Sequence, residues 1–208
     1  MPSITLAINH LKAHDPLLAY VIEFSTPPTL QAHTNYYQAL VDSIISQQLS
    51  VKAASAIEKR FIHLFDHQFP TPKQILSKDT DTLRAVGLSR PKIRYIQDLA
   101  QHILDGTVRF DTIDALTNSE IITELTKVKG IGEWTVHMFL IFCMGRLDVL
   151  PVGDLGIKNG IQKLYHIDHL PSADDIQEIA RIYKWHPYES VASWYVWQSL
   201  NNTPEIAI

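Results

Sequence analysis

A pair of glycines between two apolar helical patterns constrains this chain more than any other feature. Gly130-Ile131-Gly132 follows a helical pattern that ends at Leu125 and precedes a second one, from about Glu133 to Met144. Glycine is unfavourable inside a helix, so the spacing predicts a helix, a tight turn and a second helix. Such a turn presents backbone N–H groups at a new helix N-terminus, where phosphate groups bind readily.

An aspartate further along the chain occupies a second distinctive position. Asp154 ends the segment Pro151-Val152-Gly153-Asp154, directly before another helical pattern. The residues alone leave two roles open: the side chain can cap the next helix, or it can project from the helix N-terminus into a cleft. Asp148 and Glu133 are weaker candidates for chemistry. Asp148 lacks the helix-start context, and Glu133 lies in a first turn where the helix dipole favours any acid.

The remaining sequence predicts an all-α protein. Short polar side chains stand before apolar stripes of helical spacing, where N-cap residues belong. These predicted caps are Asn35, Ser50, Thr71, Ser89 and Thr117. No segment shows the two-residue alternation of a half-buried strand.

The hairpin and the aspartate together resemble the helix–hairpin–helix motif and the Gly/Pro-rich loop of the HhH-GPD superfamily of DNA glycosylases. The matching residues are Leu125, Val128, Gly130-Ile131-Gly132, Trp134-Thr135 and 151–158. Trp134-Thr135 resembles the AlkA-type 3-methyladenine-DNA glycosylase II branch in particular. The resemblance implies an HhH-GPD fold with two helical subdomains and a DNA-binding cleft between them. It does not extend to the β-rich N-terminal domain of larger members.

The resemblance also implies how the chain is divided. We expect a single glycosylase unit over residues 1–208. Within it, residues 1–34 and about 166–208 form one helical lobe. Residues of about 35–165 form a central lobe that carries the hairpin at 117–145.

The activity that the resemblance implies is that of a monofunctional DNA glycosylase. Such an enzyme flips alkylated bases, including 3-methyladenine and 7-methylguanine, out of duplex DNA and hydrolyses the N-glycosidic bond, which initiates base excision repair. Asp154 is the expected catalytic residue. Members that also nick DNA carry a Schiff-base lysine where this chain has Trp134, so no lyase activity is expected. The alternatives are a non-catalytic helix–hairpin–helix DNA-binding module and a glycosylase for mismatched or oxidised bases.

Cationic alkylated bases are attracted to the faces of electron-rich aromatic rings. The expected base pocket consists of Trp134, Trp197 and Met138. Trp197 falls on the position whose indole stacks on the flipped base in this branch. Each tryptophan taken alone is equally compatible with packing in the core.

The expected DNA contacts come from three turns. Gly130 and Gly132 would bind a phosphate, and Lys129, where the family usually has proline, would add charge. The loop at 47–50 would enter the minor groove, with Gln48 or Leu49 as the wedge. Lys92, which follows Gly87-Leu88-Ser89, either faces DNA or belongs to a plain C-cap and N-cap pair.

The resemblance further implies a monovalent cation on the carbonyl groups of Thr126, Val128 and Ile131. No side-chain metal site and no cofactor are expected. Cys143 is the only cysteine, which rules out an internal disulfide and the four-cysteine iron–sulfur cluster of some relatives, and it favours a reducing compartment.

Net charge does not by itself point to nucleic acid, because it is −4. The distribution of charge is more informative, since residues 82–97 include four basic residues and no acidic residue. The expected partner is double-stranded DNA containing damaged bases, with no membrane and the protein as a monomer. The expected location is the bacterial or archaeal cytoplasm, on the nucleoid, or the eukaryotic nucleus.

Overall fold

The computed structural model describes residues 4–30 and 35–202. Over these ranges it contains twelve α-helices and no strand, so the predicted all-α class is confirmed. The helices are α1 (Ile4–His14), α2 (Pro16–Glu23), α3 (Tyr36–Ser46), α4 (Val51–His63), α5 (Pro72–Leu76), α6 (Thr80–Ala85), α7 (Arg90–Leu104), α8 (Asn118–Leu125), α9 (Glu133–Met138), α10 (Leu155–Leu164), α11 (Ala173–Ile182) and α12 (Glu189–Asn202). None of them is long and apolar enough to cross a membrane.

The five predicted N-caps are confirmed. They could be predicted because a cap depends only on neighbours within one helical turn. The side chains of Asn35, Ser50, Thr71, Ser89 and Thr117 each accept a hydrogen bond from the backbone N–H three residues later. At Thr117 the bond is reciprocal, since Glu120 Oε2 accepts from the Thr117 N–H at 2.7 Å.

The helix after the hairpin differs from its prediction. We expected it to run to Met144, but α9 ends at Met138 and the chain continues as a π-helix over Phe139–Cys143. A continuous apolar run such as Phe139–Cys143 has no polar residues to mark a period, so the sequence does not distinguish the two kinds of turn. Gly145, at φ +68°, follows this segment and adopts a left-handed conformation that is typical of a helix end.

The chain divides into two compact units. The terminal unit comprises Met1–Ala32 and Leu140–Ile208, and the hairpin unit comprises His33–Phe139. The internal division therefore falls at 140 and not near 166, because α10 packs along α12 within the terminal unit. The expected boundary at 34 and the chain ends at 1–3 and 203–208 lie outside the described residues.

A buried carboxylate, that of Asp15, joins distant parts of the terminal unit. Asp15 is fully buried and caps α2 by accepting from the N–H groups of Leu17 and Leu18 at 3.1 and 2.9 Å. The same carboxylate accepts from the Tyr165 hydroxyl at 2.5 Å and the Trp185 indole at 2.8 Å. These bonds join the start of the chain to its last third, so the unit is closed by contacts that are distant in sequence.

The hairpin unit contains α3 to α9 and has α7 at its centre. Ile93 and Ile96 of α7 are buried with Leu40 and Ile44 of α3. Helices α3, α5 and α6 all contact α7, and α8 contacts α9 across the hairpin. This arrangement places the polar side of α7 beside the two turns that were expected to bind DNA.

Candidate active site and nucleic-acid interface

The hairpin turn has the conformation that its glycines predict. Gly130 adopts φ +81°, and a Cβ atom at this position would overlap the ring of Tyr95 on α7. Only glycine avoids both the backbone strain and the steric clash. Gly132 is the N-cap of α9 and, having no side chain, makes no side-chain cap hydrogen bond to this helix.

Lys129 pairs with another residue of the protein, and its expected role as an added charge for a phosphate remains a proposal. Its ammonium pairs with Asp98 Oδ1 at 2.9 Å, and its backbone N–H donates to Asp98 Oδ2 at 2.9 Å. Burial opposes ionisation of Asp98, but the bonds and the charge of Lys129 together outweigh it and lower the pKa of Asp98. At position 129 the family usually has a proline, and here the bonds from Lys129 to Asp98 hold the hairpin instead.

Lys92 makes two contacts within the protein that the sequence did not predict. Its ammonium donates to the carbonyl oxygens of Ile45 at 2.7 Å and of Gln47 at 2.8 Å. Partial burial lowers the pKa of Lys92. Of the two roles that the sequence left open for Lys92, neither included this contact of its ammonium with the C-terminal end of α3.

The loop at 47–50 presents the two residues that were expected to act as the wedge. Gln48 is exposed and adopts φ +56°, and Leu49 is 39% exposed. The neighbouring Gln47 donates from Nε2 to the Gly130 carbonyl at 2.9 Å. The wedge assignment for Gln48 and Leu49 remains a proposal, while the tie between this loop and the hairpin is an observed contact.

Asp154 is held by two donors that share one oxygen. Its Oδ1 accepts from the Ile157 N–H at 2.8 Å, which makes Asp154 the N-cap of α10. The same Oδ1 accepts from the Trp197 indole Nε1 at 2.8 Å. Capping and catalysis are therefore compatible here, because the cap also fixes the orientation of a half-buried carboxylate.

A glycine that the sequence analysis did not single out allows this contact. A Cβ at Gly156 would lie 2.9 Å from Trp197 Cδ1 and 3.0 Å from Asp154 Oδ1. At Gly160, one turn later, a Cβ would lie 2.6 Å from Val196 Cγ1. The four-residue spacing of these glycines is the sequence signal for a close approach of α10 to α12.

The three tryptophans near the end of the chain have different surroundings. Trp185 is fully buried against Asp15 and belongs to the core. Trp194 donates to the Thr26 carbonyl at 3.0 Å. Trp197 is half-buried and stacks on Phe142 at 5.9 Å between ring centroids, with 28° between the ring planes.

Trp134 and Met138 lie on one side of α9, a single helical turn apart, in the hairpin unit. Trp134 is 52% exposed and Met138 is half-buried. Glu133, a weaker candidate acid, pairs with His137 at 3.7 Å. Burial lowers the pKa of His137, and Glu133 partly opposes this effect. A half-exposed indole is an available aromatic surface, whereas Glu133 already has a partner.

Comparison with protein families shows which superfamily the chain belongs to. A family model described as HhH-GPD superfamily base excision DNA repair protein matches residues 41–184. The chain belongs to this superfamily. The match includes the hairpin, the loop at 47–50 and Asp154.

Three relatives represent the HhH-GPD proteins that this chain is similar to. DNA-3-methyladenine glycosylase 1 of Schizosaccharomyces pombe is 38% identical over 78% of this chain and 72% of its own length. An alkylbase DNA glycosidase-like protein of the same yeast is 31% identical over 92% of both chains. The crystal structure of a DNA-3-methyladenine glycosidase from Bacillus halodurans has a TM-score of 0.84 and 36% identity, covering 94% of this chain and 89% of that one.

The HhH-GPD resemblance also implied a cation on the hairpin carbonyls. The Val128 carbonyl accepts from the Ile131 N–H at 3.1 Å. A carbonyl oxygen has two lone pairs, so this bond leaves the Val128 oxygen with capacity for a further ligand, and the cation remains a prediction. Among the residues described, no group of three or more His, Cys, Asp or Glu side chains is placed to hold a metal ion.

Proposed function

We propose that this protein is a monofunctional DNA glycosylase that removes alkylated bases from duplex DNA and thereby initiates base excision repair. Its relatives named DNA-3-methyladenine glycosylases support the substrate class. The S. pombe 3-methyladenine DNA glycosylase, solved in complex with abasic DNA, has a TM-score of 0.76 and 34% identity to this chain, covering 92% of this chain and 95% of that one. This similarity supports DNA as the partner. The observation that carries the proposal is the carboxylate of Asp154, held at a helix N-terminus by Trp197.

The chemistry of the reaction explains why an oriented carboxylate is needed. When the N-glycosidic bond breaks, its electron pair leaves with the base and positive charge develops on the sugar. A carboxylate that is already in position stabilises this charge without having to reorganise. Water then forms the new bond to the sugar carbon and loses a proton. Asp154 supplies the negative charge in this proposal and orients the attacking water.

Alkylated bases suit this mechanism because they are already cationic. The departing electron pair neutralises 3-methyladenine or 7-methylguanine, so no acid is required to protonate the leaving group. Aromatic surfaces such as the half-exposed ring of Trp134 attract cationic bases and need no base-specific hydrogen bond. We therefore propose that both bases are excised ahead of uracil and 8-oxoguanine.

The test is a set of duplexes that each contain one lesion, scored for base release and for strand cleavage. Release of the alkylated bases, with strand breaks only after alkali, supports the proposal. Absence of release from every duplex, combined with DNA binding, would support the non-catalytic alternative. A protein–DNA adduct trapped by borohydride would contradict monofunctional chemistry, with Lys158 as the first lysine to examine.

Asp154→Asn is the matched variant for the same assay. Asparagine retains an oxygen that accepts from Ile157 and Trp197, but it lacks the negative charge. The variant should bind lesion DNA like the wild type and release base only at a small residual rate. Substantial single-turnover activity in this variant would remove Asp154 from its catalytic role.

A further inference from the structure

The loop at 47–50 contains a non-glycine residue in the left-handed backbone region, which is unfavourable for residues that have a side chain. Gln48 adopts φ +56°, the left-handed region, which costs a non-glycine residue on the order of 1 kcal/mol. Gln48 and Leu49 both extend into solvent. A conformation of this kind persists only when surrounding contacts determine it, so the contacts that hold the loop bear on its function.

Lys92 provides two of these contacts from a different helix. The last carbonyl groups of α3 have no partner within the helix and carry the negative end of its dipole. Helix α3 has no basic residue of its own in its last turn. The Lys92 ammonium takes the place of such a residue, donating to Ile45 O at 2.7 Å and to Gln47 O at 2.8 Å. These two carbonyls flank the start of the loop, so Lys92 fixes where the loop begins.

The same helix also holds the hairpin. The ring of Tyr95 lies against Gly130, and Asp98 binds both the backbone N–H and the ammonium of Lys129. Lys92, Tyr95 and Asp98 follow one another at three-residue intervals, which places them on adjoining sides of α7. Gln47 joins the two turns directly, since its Nε2 donates to the Gly130 carbonyl at 2.9 Å.

We propose that α7 holds the loop at 47–50 and the hairpin at a fixed separation, and that Lys92 is a positioning residue for nucleotide extrusion. This inference rests on the proposed glycosylase function. A loop that is ordered before DNA binds does not incur the cost of ordering during the encounter. Gln48 and Leu49 can then fill the space left by the flipped nucleotide while the hairpin binds a phosphate. Lys92 acts through the loop and does not itself contact DNA.

The primary test compares Lys92→Met with Lys52→Met, which removes an exposed lysine from α4 and so makes the same change in charge. Single-turnover release of 7-methylguanine is measured from a fully paired duplex and from a duplex in which the lesion faces an abasic site. Extrusion is easier for an unpaired base. Lys92→Met should therefore lose about tenfold in rate on the paired lesion and little on the unpaired one. Lys52→Met should match the wild type on both, and an equal loss by Lys92→Met on both substrates would overturn the inference.

Salt dependence separates positioning from a direct phosphate contact. Each phosphate contact contributes about 0.9 to the slope of log affinity against log salt concentration. Lys92→Met should keep the wild-type slope, and a reduction of about 0.9 would overturn the inference by making Lys92 a DNA ligand. If Lys92→Met is poorly folded by circular dichroism, Gln47→Ala removes the bond to Gly130 instead and should show the same selective loss on the paired lesion.

Extrusion can also be measured without catalysis, which distinguishes failure of this inference from failure of the proposed function. In the Asp154→Asn background, 2-aminopurine next to the lesion should become more fluorescent when the nucleotide is flipped. Lys92→Met should reduce this increase, and an unchanged increase would overturn the role of Lys92. Failure of the wild type to release any alkylated base would instead overturn the proposed function.

Discussion

The indole Nε1 of Trp197 donates to Asp154 Oδ1 at 2.8 Å, across 43 residues of sequence. This bond gives Trp197 a role in addition to the stacking that the family resemblance implied. Because Oδ1 also accepts from the Ile157 N–H, the plane of the carboxylate is fixed by one bond from α12 and one from α10.

Replacing Trp197 with phenylalanine should separate these two roles. Phenylalanine keeps an aromatic ring for stacking but has no N–H donor, so Asp154 loses its bond from α12. We expect single-turnover base release to fall about 10- to 100-fold with little change in lesion-DNA affinity, since a misplaced catalytic group lowers the rate more than it lowers binding.

Trp194→Phe is the matched control, because that indole lies on the same helix and donates to the Thr26 carbonyl instead. In an Asp154→Asn background, Trp197→Phe should cause no further loss of the residual rate. Additive losses would show that Trp197 acts independently of Asp154.

Gly156→Ala should disturb the same contact by crowding it. The new Cβ would lie 2.9 Å from Trp197 Cδ1, so the indole must shift away from Asp154. The expected loss in release rate is about 3- to 10-fold. Gly153→Ala, where a Cβ meets nothing within 4 Å, should behave like the wild type. Equal rates for the two variants would contradict the requirement for glycine at 156.

Asp15→Ala should destabilise the protein strongly. It leaves four donors without their acceptor. The Leu18 N–H and the Trp185 indole make buried bonds to Asp15, and the Leu17 N–H and the Tyr165 hydroxyl make part-buried ones. Buried unsatisfied donors cost about 1–3 kcal/mol each, and partial rehydration limits the total to about 3–5 kcal/mol. Urea denaturation monitored by tryptophan fluorescence measures the loss. Tyr165→Phe, which removes a single donor, should cost about 1 kcal/mol.

Asp42 should make stability depend on pH in an unusual direction. Burial, followed by the charge of Glu58, raises the pKa of Asp42 to about 6. Its Oδ1 has no hydrogen-bond partner within the part of the chain that the structure describes. The folded state therefore binds the Asp42 proton more tightly than the unfolded state, and this contribution to stability falls as pH rises from about 4 to about 6.

Asp42→Asn removes that penalty. The full pKa shift corresponds to about 3 kcal/mol, and exposure of Asp42 to solvent reduces the expected gain to about 1–2 kcal/mol at pH 7.5. The difference from the wild type should vanish below about pH 3, where Asp42 is protonated in both states. Denaturation midpoints at the two pH values measure this difference, and a gain that is independent of pH would contradict the explanation.

Local rules account for the parts of this protein that its sequence predicted. An N-cap such as Thr117 and a left-handed glycine such as Gly130 depend on residues within about one helical turn. Helix starts, the hairpin and the cap at Asp154 could therefore be read along the chain. The end of α9 at Met138 could not, because the residues that follow it are all apolar and give no period that distinguishes a π-helix from an α-helix.

Only the tertiary structure determined which polar groups meet. The sequence left it open whether Lys92 faces DNA, and the fold places its ammonium beside two carbonyls of α3. The exposed charge of Lys129 is matched by Asp98, 31 residues away. The orientation of Asp154 depends on how closely α10 approaches α12, which Gly156 and Gly160 permit. Sequence patterns determine the helices because those interactions are local, whereas side-chain partners distant in the chain are selected by packing, which brings them within hydrogen-bonding range.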